Sequence, residues 1–63
     1  MTDFIVRNEG SIVLFTPLTA AAEEFIELRV DPDHQTFGNA VVVEHRYAYE
    51  LLAGITSHGL TAR

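Results

Sequence analysis

The densest group of functional side chains in this sequence is Glu44-His45-Arg46-Tyr47, which follows the apolar run Ala40-Val41-Val42-Val43 and opens a helical pattern. Open α/β sheets bind ligands beyond the carboxyl ends of their strands. If Thr16-Pro17 lies at the corresponding end of a parallel neighbour, an anion could meet the Arg46 guanidinium, the amides of a helix start and the Thr16 hydroxyl there. Glu44 and His45 could exchange a proton if a cleft desolvated them. The candidate ligand site is therefore Thr16, Glu44, His45, Arg46 and Tyr47. A purely structural role uses the same residues and asks less of them. Glu44 then complements the helix dipole, Arg46 is solvated or pairs with Glu50 one turn on, and Tyr47 lies on the edge of the core. The structural role is preferred.

Other chemistries lack their residues. His34, His45 and His58 fall in a loop, a helix start and a helix end, without the i, i+3 or i, i+4 spacing of helical metal sites. There is no Cys to serve as nucleophile or thiolate ligand, and no Ser sits in a nucleophile elbow. Neither a P-loop nor a GxGxxG fingerprint is present. Asp31-Pro32-Asp33-His34 lacks the alternating oxygen ligands and closing Glu of an EF-hand and reads as a solvated turn. No catalytic residue, metal or cofactor is expected, and the chain does not read as an enzyme.

The elements that position these residues follow from periodicity. Phe4-Ile5-Val6-Arg7 and Ser11 to Phe15 are β-type runs joined by the turn signal Asn8-Glu9-Gly10, which reads as a hairpin. A frayed N-terminal arm is the alternative for the first run. Thr16 and Pro17 suit the N-cap and first position of a helix. Leu18, Ala21, Ala22, Phe25 and Leu28 mark its apolar side, and Glu23, Glu24 and Glu27 its solvated side. Asp31-Pro32 stops this helix, and residues 31–39 form the longest loop. Phe37 in that loop either folds over the core or meets a partner. Ala40 to Val43 is the third strand. Ala48, Leu51, Leu52 and Ile55 give the buried stripe of a second helix, closed by Gly59 at a left-handed C′ position with Leu60 packing back on Ile55. Gly54 interrupts that helix, which suggests close approach by another backbone.

The order β-β-α-β-α predicts a single small α/β (α+β) domain over residues 1–63. Its sheet is expected to be small and mixed, with the second and third strands parallel across a right-handed crossover and both helices on one face. The expected core is Val13, Phe15, Leu18, Ala22, Phe25, Val41, Val43, Leu51, Leu52 and Ile55.

Composition limits the partners. The chain has 63 residues, 48% of them hydrophobic, and no disulfide to staple so small a body. A homodimer is the simplest way to cover surplus apolar surface. Candidate contacts are the open sheet face, the N-terminal strand edge and the surface around Phe37, Tyr47 and Gly54. The net charge of −5 and four scattered Arg argue against binding nucleic acid through its phosphates. No membrane-length apolar run or targeting segment is evident, so a cytoplasmic location is expected.

The pattern Ile12-Val13-Leu14-Phe15-Thr16-Pro17-Leu18, an Ala/Glu helix, then Ala40-Val41-Val42-Val43-Glu44-His45-Arg46-Tyr47 and a helix ending at Gly59 resembles a family of small uncharacterised bacterial and phage-associated proteins. The resemblance spans residues 11–60 and implies a short stand-alone protein. Phe25 and Phe37 stand where Trp is associated with that family, and no activity comes with it. The function expected is that of a non-enzymatic interaction or regulatory protein, homodimeric and presenting a surface to another protein. Two alternatives are a small-ligand or anion binder using the strand-end cluster, and a phage-type inhibitor acting through an acidic face.

Overall fold

The computed structural model describes residues 1–29 and 36–63, apart from the side chain of Phe37. The Asp31-Pro32-Asp33-His34 turn and the packing of Phe37 lie outside the described residues.

The N-terminal hairpin forms as its turn residues dictate. Strands β1 (Phe4–Asn8) and β2 (Ile12–Pro17) pair antiparallel, with Val6 opposite Phe15. Gly10 takes φ 98°, open to glycine at little cost, and its N–H donates to Asn8 Oδ1 at 2.9 Å. β1 is no frayed arm, because Phe4 is fully buried.

Helix α1 (Ala20–Arg29) begins later than Thr16-Pro17 suggests. Both residues belong to β2, where Pro17 pairs with Phe4, and the N-cap is Thr19. The Thr19 hydroxyl accepts from the Ala22 amide at 3.1 Å, and the Thr19 carbonyl receives the Glu23 amide. The later start rotates the apolar stripe. Ala22, Phe25 and Ile26 are buried, whereas Leu18 and Leu28 are 52% and 71% exposed.

A short strand, β3 (Thr36–Phe37), turns at Gly38-Asn39 into β4 (Ala40–Glu44), with Gly38 at φ 63°. Helix α2 (His45–Ser57) follows directly. Its end forms the expected Schellman motif: Leu60 N–H donates to Ile55 O and Gly59 N–H to Thr56 O, both at 3.0 Å, with Gly59 at φ 82°.

The sheet order is β1-β2-β4-β3, and each neighbouring pair is antiparallel. The expected parallel pairing of β2 with the Ala40–Glu44 strand is therefore wrong. The helix does return the chain to a strand running the same way as β2, but that strand is β3. β4 then folds back from β3 and inserts between them. The parallel contact in the sheet is an isolated bridge, Phe4 to Ala62, at the opposite edge.

Both helices pack on one face. The core joins Phe4, Val13, Phe15 and Val41 of the sheet to Ala22, Phe25 and Ile26 of α1 and Ala48 and Ile55 of α2. Val43, Leu51 and Leu52 are half-buried against it. Phe4 and Phe25 meet edge to face at 6.1 Å, and His58 closes on the other side of Phe25 at 5.4 Å.

Candidate functional site

Antiparallel pairing divides the anticipated ligand site. Glu44 stands opposite Ile12, at the start of β2, while Thr16 lies near its other end. Four residues of extended strand place Thr16 about 14 Å from that end of the sheet. Thr16 thus cannot share a ligand with Arg46.

Glu44, His45, Arg46 and Tyr47 do remain together at the start of α2, all exposed. Glu44 is the N-cap by backbone conformation but makes no side-chain cap bond. Arg46 pairs with Glu44, at 3.6 Å, rather than with Glu50, and its guanidinium lies 4.9 Å from the centre of the Tyr47 ring. An ion pair this exposed adds little stability. The His45 amide donates to Ser11 O at 3.3 Å, and the His45 Nε2 lies 3.4 Å from Asn8 Nδ2. No burial desolvates Glu44 or His45, so the setting for acid–base work is lacking. Among the described residues, no group of three His, Cys, Asp or Glu could hold a metal ion. Among the described residues, no helix is long and apolar enough to cross a membrane.

The sheet has a second surface. Side chains alternate along each strand, so Ile5 and Arg7 of β1, Ile12, Leu14 and Thr16 of β2, and Val42 of β4 point away from both helices. Leu14 occupies the centre, in register with Arg7 on one side and Val42 on the other. Ile5 is 41% exposed, and Ile12, Leu14 and Val42 are half-buried. A shallow depression of about 280 Å³ lies between Ile5, Leu14, Thr16 and Ala40.

On the helical side, Phe25, Arg29, Val43, Tyr47, Glu50, Leu51 and Gly54 line an open groove of about 510 Å³ between α1 and α2. A methyl placed on Gly54 would lie 3.5 Å from Phe25 Cζ, an ordinary side-chain contact. The close neighbour of Gly54 is thus a ring and not the second backbone that its position in the helix suggested. Tyr47 is 48% exposed beside it. Glu23, Glu24 and Glu27 are exposed on α1.

One polar cluster was missed from the sequence. Asp3 Oδ1 accepts from the Thr19 hydroxyl at 2.7 Å, and Asp3 Oδ2 accepts from the Thr61 amide at 3.0 Å. The Thr61 hydroxyl donates to Met1 O at 2.7 Å. These bonds, led by the Thr61 amide and then the Thr19 hydroxyl, hold the Asp3 carboxyl below its ordinary pKa. The cluster ties the start of α1 to the C-terminal arm, Leu60 to Arg63, which lies along the outer edge of β1. The only signal available was an Asp and two Thr far apart in the chain, and nothing in their spacing joins them.

Comparison with protein-family models, with curated proteins and with solved structures finds no match.

Proposed function

We propose that the protein is a non-enzymatic interaction protein that assembles as a homodimer through the open face of its sheet. The observation that carries this reading is the row of Ile5, Ile12, Leu14 and Val42 on the face away from both helices. A chain this short gains little by keeping branched apolar side chains on an uncovered sheet face, where polar residues usually alternate with the core positions. A second copy offers an identical face, and two sheets stack at about 10 Å with their side chains interleaved. Arg7 on β1 and Glu44 on β4 stand toward opposite edges of this face. Arg7 already pairs with Glu9 at 2.9 Å and Glu44 with Arg46 at 3.6 Å, so both charges are met within one copy and the apolar row alone supports the reading.

The strand-end cluster supports an anion-binding role less well, because Thr16 is distant and Arg46 already has Glu44 beside it. The acidic side of α1 supports solvation as readily as mimicry of nucleic acid. Light scattering across a concentration series tests the dimer, with Leu14→Glu as the decisive variant. Leu14 is not in the core of the single chain, so the variant is expected to stay folded while a charge at the centre of the shared face makes it monomeric. A monomer mass for the unmodified protein at every concentration rules the dimer out.

A further inference from the structure

Asp3 stands immediately before β1 and is bonded on two sides at once. On one side its carbonyl accepts from the Leu18 amide at 2.7 Å, and its Oδ1 accepts from the Thr19 hydroxyl at 2.7 Å. On the other its amide donates to Thr61 O at 3.1 Å, and its Oδ2 accepts from the Thr61 amide at 3.0 Å. One residue thus divides its backbone groups and both carboxylate oxygens between the β2–α1 junction and the C-terminal arm.

This division links the two segments. The Thr19 hydroxyl carries one proton, and donating it to Asp3 turns a lone pair toward the Ala22 amide, the N-cap bond of α1. A carboxylate accepts on both oxygens together, and its bonds are stronger than those of a neutral acceptor. Both sets depend on the position of one short, rigid group. When the arm leaves, Oδ2 loses the Thr61 amide and the Asp3 amide loses Thr61 O, so the carboxylate that orients Thr19 is held from one side alone. The arm also carries its own load: the Phe4 amide donates to Thr61 O at 3.0 Å, the Arg63 amide to Phe4 O at 3.0 Å and the Val6 amide to Arg63 O at 2.6 Å.

We propose that the C-terminal arm is a latch on α1: seated against β1 it fixes the Asp3 carboxylate, and the fixed carboxylate orders the first turn of the helix. Opening the arm therefore frees two features together, the Phe4 and Val6 backbone groups and the N-cap of α1. The coupling is reciprocal, so loosening the cap weakens the seating of the arm by the same factor. This device does not depend on how the open sheet face is used.

Native-state hydrogen exchange on the full chain reads both ends of the latch. Thr61→Val removes the hydroxyl bond to Met1 O on the side of Asp3 away from the helix. It should speed exchange at the Arg63 and Val6 amides and also, by about fivefold, at the Ala22 and Glu23 amides. Amides in the middle of α2 should keep their rates. If Thr61→Val leaves the rates of the arm unchanged, Thr61→Pro, which also removes the amide donor, takes its place. Thr19→Val should act in the other direction and speed exchange at Thr61 and Arg63. Asp3→Asn keeps one acceptor oxygen and sets an NH2 where the other stood, so in that background Thr61→Val should no longer alter Ala22 and Glu23. If Asp3→Asn does not fold, Thr19→Ala combined with Thr61→Val decides: the double variant should lose less urea midpoint than the two single losses added. Faster exchange in the arm with unchanged rates at Ala22 and Glu23 overturns the proposal. So does the same response in the Asp3→Asn background, or strictly additive losses in the double variant.

Discussion

Replacing Gly54 with Ala sets the geometry of α2 against the expectation drawn from its position in the helix. Glycine within a helix costs roughly 0.5–1 kcal/mol relative to Ala, through the backbone freedom it loses on folding. Against that gain, a new methyl could clash. It would meet Phe25 Cζ at 3.5 Å, which is van der Waals contact without overlap, and among the described residues no other atom outside the neighbouring helix turns within 4 Å. The contact adds only about 0.1–0.2 kcal/mol for each atom pair. The sum is a stabilisation of about 1 kcal/mol, which for a domain of this size raises the melting temperature by about 4–8 °C. Far-UV circular dichroism at a protein concentration low enough to suppress association measures it directly. A lower melting temperature there refutes the reasoning, since it means that something approaches Gly54 more closely than Phe25 does. Repeating the melt at high concentration adds a second reading. If the groove beside Gly54 seats another copy, the gain shrinks or reverses as association begins to contribute to stability. If the dimer forms through the open sheet face, the gain is the same at both concentrations.

Three further substitutions test the fold around the candidate surfaces. Phe4→Ala empties a fully buried site and should cost about 3–5 kcal/mol, comparable with the whole stability of roughly 3–9 kcal/mol for a chain of 63 residues; a variant that melts within a few degrees of the parent would remove β1 from the core. Thr19→Ala should cost about 1 kcal/mol as a lost N-cap, and Thr16→Ala should cost less in a urea titration; the reverse order would return the cap to Thr16. The folded Asp3 carboxyl has a pKa below its ordinary 3.8, so its contribution is present above that value and is lost as the pH falls through the lower, folded one. Asp3→Asn should therefore flatten the decline in urea midpoint below about pH 4, and an unchanged acid slope would show that the bonds from Thr19 and Thr61 to the Asp3 carboxylate contribute nothing.

Much of the local structure was legible because it depends on neighbours in the chain. Asn8-Glu9-Gly10 bends the hairpin through an Asx contact and one positive φ. Gly59 and Leu60 close α2 through two backbone bonds that any helix end must find in some form. The start of α1 was misread because two Thr lie three residues apart. Pro17 fits a first helical turn, but it fits equally well as the last residue of a strand, beyond the stretch that β4 pairs, and the Asp3 carboxylate that engages Thr19 comes from before β1, distant in sequence. That three-residue difference turns Leu18 and Leu28 outward and Ile26 inward. The C-terminal arm was illegible for a related reason: four residues carry no period, and β1 supplies the template for them.

The strand direction was lost at Thr36-Phe37. Two residues cannot display alternation, although Gly38-Asn39 before a β-branched run is the kind of turn that joins hairpin strands. Reading that segment as loop made β4 the direct return from α1, and so parallel to β2. As the second arm of a hairpin, β4 runs the other way, and its carboxyl end arrives over Ile12 rather than Thr16. This reversal splits the anticipated anion site between the two ends of the sheet. It also brings the first turns of α2 to the hairpin end of β1 and β2, where the His45 amide meets Ser11 and its ring meets Asn8. Ala48, Tyr49 and Leu52 then follow along the same side of α2, above Val6 and Val13. The insertion of β4 that separates Thr16 from Arg46 is thus also what lays α2 over Val6 and Val13 and assembles the apolar slot between them.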